Sequence, residues 1–226
     1  MQPQVAPPQS ETELLQRCRS LAGLTLQQLA ERYAIAIPPD LRRHKGWVGQ
    51  LVELALGADA QSLAEPDFRA IGVELKTVPV DSKGMPREST YVCTVPLEEG
   101  LEPRWEESWV CRKLSRVLWL PVEADPAIPL AARRLGSALL WSPDEDEQTL
   151  LRQDWEELGE MICMGELEQI TARMGTVLQI RPKAANSAVR CRSVGADGEA
   201  IVTNPRGYYL RPAFTRALLQ RHYHNG

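Results

Sequence analysis

Asp67, Glu74 and Lys76 stand in one run, Asp67-Phe68-Arg69-Ala70-Ile71-Gly72-Val73-Glu74-Leu75-Lys76-Thr77-Val78. Ile71, Val73, Leu75 and Thr77 alternate with Gly72, Glu74, Lys76 and Val78, and such alternation with β-branched residues predicts a strand. Side chains at i and i+2 of a strand share a face, so Glu74 and Lys76 project side by side with apolar residues on the other face. Asp67 follows Glu65-Pro66, where a turn can bring it back beside Glu74. Two carboxylates and an ammonium converging in this way can hold magnesium beside a base or charge stabiliser, which is what phosphodiester hydrolysis requires. The same spacing also describes a solvated strand face with an exposed Glu–Lys pair, and the triplet alone does not choose.

The elements that must position these groups can be read along the chain. Ser10-Glu11-Thr12-Glu13 predicts a capping box, followed by Leu14, Leu15, Cys18 and Leu21 at helical spacing and closed by Gly23. Thr25-Leu26-Gln27-Gln28 opens a second helix. Lys45-Gly46-Trp47 leads into a third, with Val48, Leu51, Val52, Leu54 and Ala55, ended by Gly57. Glu53 is an acid in its apolar second half: either it edges the buried face and looks to water, or it is a third carboxylate for the same site. Strands follow at about 71–80, 89–96, 116–122 and 137–141. Asp81-Ser82-Lys83-Gly84 predicts a turn that makes the first two a hairpin. Ser142-Pro143 starts an acidic helix that runs to Met164-Gly165, with Pro143 at the first helical position. Glu166–Met174 reads as a further helical turn or two. A short strand, Val177–Ile180, ends in Arg181-Pro182-Lys183. Residues 184–206 read as loop, and Arg211-Pro212 begins a last amphipathic helix. The whole predicts a mixed α/β fold with a short sheet flanked by helices.

The 226 residues are 43% hydrophobic and 25% charged, a globular composition with no apolar stretch of membrane-spanning length. Met1–Gln9 is rich in Pro and Gln and lacks the basic and apolar parts of a signal peptide, so it is expected to be a disordered tail on a cytoplasmic protein. Cys18, Cys93, Cys111, Cys163 and Cys191 show no paired spacing, which predicts neither a disulfide framework nor a zinc site. With only His44, His222 and His224, histidine-based catalysis is not expected. The net charge of −4 conceals an asymmetry: from Thr171 onward nine Arg/Lys face two carboxylates, while Asp144–Glu168 holds ten carboxylates against Arg152 alone. A basic terminal third suits a polyanion; alternatively, the basic and acidic stretches pair with each other.

Longer stretches carry more information. They include His44-Lys45-Gly46-Trp47, Gly72-Val73-Glu74-Leu75-Lys76-Thr77, Arg116-Val117-Leu118-Trp119 and Leu139-Leu140-Trp141-Ser142-Pro143. Further ones are Asp154-Trp155-Glu156-Glu157-Leu158, the segment Gln179-Ile180-Arg181-Pro182-Lys183-Ala184-Ala185-Asn186, and Pro205-Arg206-Gly207. In this order, from about Glu11 to Tyr223, the sequence resembles the MutH family, the strand-nicking endonucleases of methyl-directed DNA mismatch repair. The resemblance implies the type II restriction endonuclease fold with its D…ExK motif, residues 10–226 forming one domain in two hinged lobes that clasp DNA. It implies a monomer that binds hemimethylated GATC and nicks the unmethylated strand 5′ of the G. It also implies a magnesium requirement and stimulation by MutL after MutS finds a mismatch. The chain has no GxxxxGK[ST] loop, so ATP dependence would enter through partners.

Residue by residue, the resemblance implies that Asp67 and Glu74 bind the metal and that Glu53 assists. Lys76 would hold or deprotonate water, or stabilise developing charge. Lys45 and Lys113 would contact phosphate. Arg181 and Lys183 fall in the DNA-reading segment, with Pro182 stiffening the turn between them. Tyr209 would sense adenine methylation. Tyr91, where the family typically has Phe, would stack on or wedge against a base step. Ser187–Glu199 does not align residue by residue, so Arg190 and Arg192 carry a charge argument only. Two rival functions share these residues: an autonomous GATC restriction endonuclease of the same fold, and a non-catalytic DNA-binding adaptor.

Overall fold

The structure is a computed structural model that describes residues 5–41, 43–60, 65–98, 100–183 and 188–224. In chain order the elements are α1 (Glu11–Leu21), α2 (Leu26–Arg32), α3 (Trp47–Leu56), β1 (Glu74–Val80), β2 (Thr90–Thr94), α4 (Trp109–Leu114) and β3 (Val117–Glu123). Then come β4 (Leu139–Trp141), α5 (Glu145–Cys163), β5 (Leu178–Pro182), β6 (Cys191–Val194), β7 (Ala200–Thr203), β8 (Arg206–Leu210) and α6 (Pro212–His224). They form two compact units, Met1–Arg87 with Arg116–Ser142, and Glu88–Ser115 with Pro143–Gly226.

The first unit holds a three-stranded sheet in the order β1-β3-β4, with β1 parallel and β4 antiparallel to the central β3. A central strand covered on both faces needs an unbroken apolar run, and Val117 to Val122 supplies it, all buried. Leu75 of β1 and Leu118, Leu120 and Val122 of β3 face a core filled by Leu14, Cys18 and Leu21 of α1, Leu26 and Leu29 of α2, and Leu51, Val52 and Leu56 of α3. The other face carries Glu74 and Lys76, in register with Val117 and Trp119. Arg116 fixes the start of α1 to the start of β3 through two 2.6 Å bonds to Glu11, while its carbonyl accepts from Glu74 N–H at 2.9 Å. This pairing holds the Glu11 carboxyl below its usual range and raises Arg116.

The second unit holds an antiparallel sheet in the order β2-β8-β5 and a separate β6-β7 hairpin. Trp105 and Trp155 pack at 5.8 Å in its interior. Arg221 of α6 bonds Glu147 and lies 3.6 Å from Asp144, at the N-terminus of α5.

Several sequence expectations need correction. There are separate sheets, not one. The expected strand over 71–80 starts only at Glu74, because Arg69–Ile71 forms a 3₁₀ turn that Gly72 closes at φ +64°. The turn after Asp81 exists, its carboxylate accepting from Lys83 and Met85 N–H, but it makes no hairpin of β1 and β2. A turn signal reverses the chain locally and does not choose the strand's partner: β1 pairs with β3 and β2 with β8.

The acidic helix begins two residues later than Ser142-Pro143 implies, because Asp144 and Glu147 close a reciprocal capping box. In α1 only half the expected box forms, since Glu13 reaches Gln9 N–H instead. The stretch 184–206 contains β6 and β7, joined through Gly195–Glu199. Of the expected tail, residues 5–9 are anchored: Ala6 O accepts from Arg17 at 2.7 Å and Pro8 is buried; residues 1–4 lie outside the described residues. So do Ala184, Ala185, Asn186, Ser187, Asn225 and Gly226.

Candidate active site and nucleic-acid face

In the first unit, Phe68 and Val73 exchange backbone hydrogen bonds across the 3₁₀ turn, and the fully buried Phe68 ring anchors that loop. The fold-back aims the Asp67 carboxylate at the start of β1, where Oδ2 accepts from Leu75 N–H at 2.8 Å. Glu74 Oε1 accepts from Lys76 Nζ at 2.6 Å. Glu74 is only 3% exposed, and Asp67 and Lys76 9% each. That burial removes the solvated-pair alternative. Taking such a pair out of water costs several kcal/mol per ion, so a packed apolar pair would serve stability as well or better. A buried ionic cluster of this kind instead marks a functional-site candidate.

Glu53 reaches β1 from α3. The Cβ position of Gly49 lies 3.7 Å from both Glu53 Oε1 and Thr77 Oγ1, ordinary contact distances that place that carboxylate in the neighbourhood of Thr77. Thr77 is on the opposite face of β1 from Glu74 and Lys76. Among the described residues, no three His, Cys, Asp or Glu side chains converge closely enough to hold an ion by themselves. Asp67 and Glu74 still fit a hard cation that takes one or two carboxylates and completes its octahedron with water and phosphate oxygens. Lys45 is exposed, just before Gly46, which caps α3 at φ +91°.

Lys113 lies in the second unit, buried in the last turn of α4. Arg181 and Lys183 are exposed on and just after β5, which continues to Pro182 and so places Arg181 within the strand. In the β2-β8-β5 sheet, Tyr91, Tyr209 and Gln179 stand in register across the three strands, as do Thr94, Gly207 and Arg181. The Tyr91 and Tyr209 rings meet edge-on at 5.4 Å. Burial pushes the Tyr209 phenol up, with Tyr91 adding to this and Arg181 opposing it. Arg181 lies 6.0 Å from the Tyr209 ring centroid and donates to Ser89 Oγ. Lys183 lies 4.1 Å from the Tyr91 centroid and donates to Tyr91 OH and, at 2.9 Å, to Thr94 Oγ1.

Sequence reasoning missed Ser89, Thr94, Gln179 and Gly207 on this face. Residues three apart in a strand normally point opposite ways, and only a register shift between Tyr91 and Cys93 brings Tyr91 and Thr94 to one side. Gln179 alone offered a signal, as a polar residue inside an apolar strand.

A mixed α/β scaffold with a buried Asp–Glu–Lys cluster and a separate face of tyrosines and cations has the residue chemistry of a hydrolase acting on nucleic acid. Comparison with known proteins narrows this. Residues 56–154 match the family model described as the DNA mismatch repair enzyme MutH. The DNA mismatch repair protein MutH of Klebsiella pneumoniae subsp. pneumoniae is 58% identical over 221 residues, covering 98% of this chain and 96% of that protein. The MutH protein of Salmonella paratyphi C is 57% identical with the same coverage, and that of Shewanella sp. ANA-3 is 55% identical over 96% of this chain and 97% of the relative. The chain belongs to the MutH family of DNA mismatch repair endonucleases. No helix among the described residues is long and apolar enough to cross a membrane.

Proposed function

We propose that the protein is a cytoplasmic, monomeric, magnesium-dependent nickase with a type II restriction endonuclease fold, which binds hemimethylated GATC and cuts the unmethylated strand 5′ of the G. The observation that carries this reading is the buried Glu74–Lys76 pair beside the Asp67 carboxylate, in a chain of this family. Asp67 and Glu74 would hold the ion, with Glu53 assisting from α3. When bound, magnesium acidifies water and neutralises charge at the scissile phosphate. Lys76 is held at 2.6 Å from Glu74, where its ammonium can orient water or stabilise the developing oxyanion. Lys45 and Lys113 are assigned to phosphate. Tyr91 and Tyr209, with Arg181 and Lys183, read the bases. A methyl group on the adenine amino nitrogen removes one N–H donor and adds bulk, and a tyrosine edge packed closely against that groove position registers both. Activation would come from MutL, recruited by MutS.

The test is cleavage of unmethylated, hemimethylated and fully methylated GATC duplexes, with magnesium, with and without MutL and ATP. The expected result is nicking confined to unmethylated strands, stimulated by MutL, with fully methylated DNA spared. Efficient double-strand cutting without MutL would identify an autonomous restriction enzyme instead. Absence of magnesium-dependent cleavage under every condition would identify an adaptor.

A further inference from the structure

Lys183 is held in a way that an ordinary surface lysine is not. Its main-chain N–H continues the β5–β8 ladder to Pro205 O at 2.8 Å, so the root of the side chain is fixed. The side chain then crosses β8 to reach β2, two strand spacings away, or roughly 9–10 Å. On β8, the position in register with Thr94 is Gly207, whose partner on β5 is Arg181. A Cβ there would sit 3.1 Å from both the Tyr91 and Tyr209 rings, so both rings would have to give by a few tenths of an ångström to admit one. At the far side the ammonium meets two hydroxyls, Tyr91 OH and Thr94 Oγ1, which also contact each other at 3.0 Å. The bulge in β2 is what places both on the exposed face. Among the described residues Lys183 is in no ion pair.

An ammonium has three donors. Two are directed into the hydroxyl pair, and the third is thereby aimed. A lysine that merely neutralises phosphate needs no such aim, since a point charge acts from many positions. A lysine that must meet one acceptor on a base edge gains from losing its rotamer freedom before the DNA arrives. We propose that the hydroxyls of Tyr91 and Thr94 are positioning groups that fix Lys183 for sequence discrimination. This rests on the reading of the β2-β8-β5 face as the DNA-reading surface.

The experiment compares the full-length native protein with Thr94→Val, Tyr91→Phe, their double variant, Thr94→Ser and Lys183→Ala. With magnesium present, each is given a GATC duplex and duplexes carrying one substituted base pair. In the double variant, discrimination between cognate and substituted sites is expected to fall about tenfold, the scale of one aimed base contact. For Thr94→Val alone the loss should appear in KM, with kcat at saturating DNA, the salt dependence of binding and the Tm little changed. Each single variant should show part of the loss, and Thr94→Ser should retain native discrimination. Unchanged discrimination in both the double and single variants, with a clear loss in Lys183→Ala, overturns the positioning role and leaves the reading face standing. An equal loss in Thr94→Ser and Thr94→Val assigns the effect to packing and also overturns it. If Lys183→Ala neither weakens binding nor lowers discrimination, the reading of the face itself fails.

Discussion

Glu74 accepts a 2.6 Å bond from Lys76 with almost no water around either group, and this decides what substitutions do. In Lys76→Ala the buried carboxylate loses its counter-charge, a change that costs about 3–5 kcal/mol when nothing replaces the partner. The same change removes the charge stabiliser from the proposed reaction, worth about 10²–10³ in rate. The expected outcome is a lowered Tm, near-abolished nicking and retained binding of the GATC duplex, measured by calorimetry, single-turnover cleavage and titration. Magnesium should recover part of the lost Tm, because a cation at the Asp67–Glu74 carboxylates supplies the missing charge. Full nicking activity in Lys76→Ala would remove Lys76 from the mechanism. The spacing of Glu74 and Lys76 was legible in the sequence, whereas their burial was not, since it depends on what covers that face of β1.

At the scale of elements, β5 carries Arg181 and leads to Lys183, and its entry turn is clamped from both sides. The Asp154 carboxylate of α5 accepts from the N–H groups of Thr176, Val177 and Leu178 at 2.7, 2.6 and 2.7 Å. The Arg211 guanidinium donates to the carbonyls of Arg173, Met174 and Gly175. Gly175 turns between them at φ +79°, where a Cβ would fall 1.9 Å from Leu178 O. Each orphaned buried N–H costs about 1–3 kcal/mol, so Asp154→Ala should destabilise the protein by roughly 3–5 kcal/mol. Urea unfolding should show this as a lower midpoint, with weaker DNA binding by the remaining folded protein; a shift under about 1 kcal/mol would refute the clamp. Asp154 was visible in the sequence as one acid in a long acidic helix and as the start of the Asp154-Trp155-Glu156-Glu157-Leu158 stretch, and neither gave it a role. Its role depends on three amides more than twenty residues away, a distance that periodicity cannot span. The same limit explains the missed β1–β3 pairing, since a parallel partner lies across a long excursion of the chain.

For the molecule as a whole, the charge asymmetry resolves into two populations of cations. Arg206 pairs with Glu168 and Arg221 with Glu147 and Asp144, so part of the basic third does neutralise the acidic stretch. Among the described residues, Arg181 and Lys183 are in no ion pair and donate instead to neutral hydroxyls. Arg181→Ala should therefore weaken DNA binding and reduce the slope of log K against log salt if it touches phosphate, or relax base discrimination if it reads guanine. Arg221→Ala should leave both unchanged and lower stability by under about 1 kcal/mol, as for a partly exposed pair. A loss of affinity in Arg221→Ala equal to that in Arg181→Ala would contradict this division.

By itself, the sequence determined five of the helices, though not every cap, the cores of five strands and the family, and it offered the Asp-Glu-Lys spacing, because these are written in local spacing and long ordered motifs. Only the tertiary structure decided that Glu74 and Lys76 are buried, that Asp67 returns to Leu75, and that the hydroxyls of Tyr91 and Thr94 meet the Lys183 ammonium. Those outcomes depend on register, a bulge and the pairing of distant strands, which are set by packing among residues far apart in the chain.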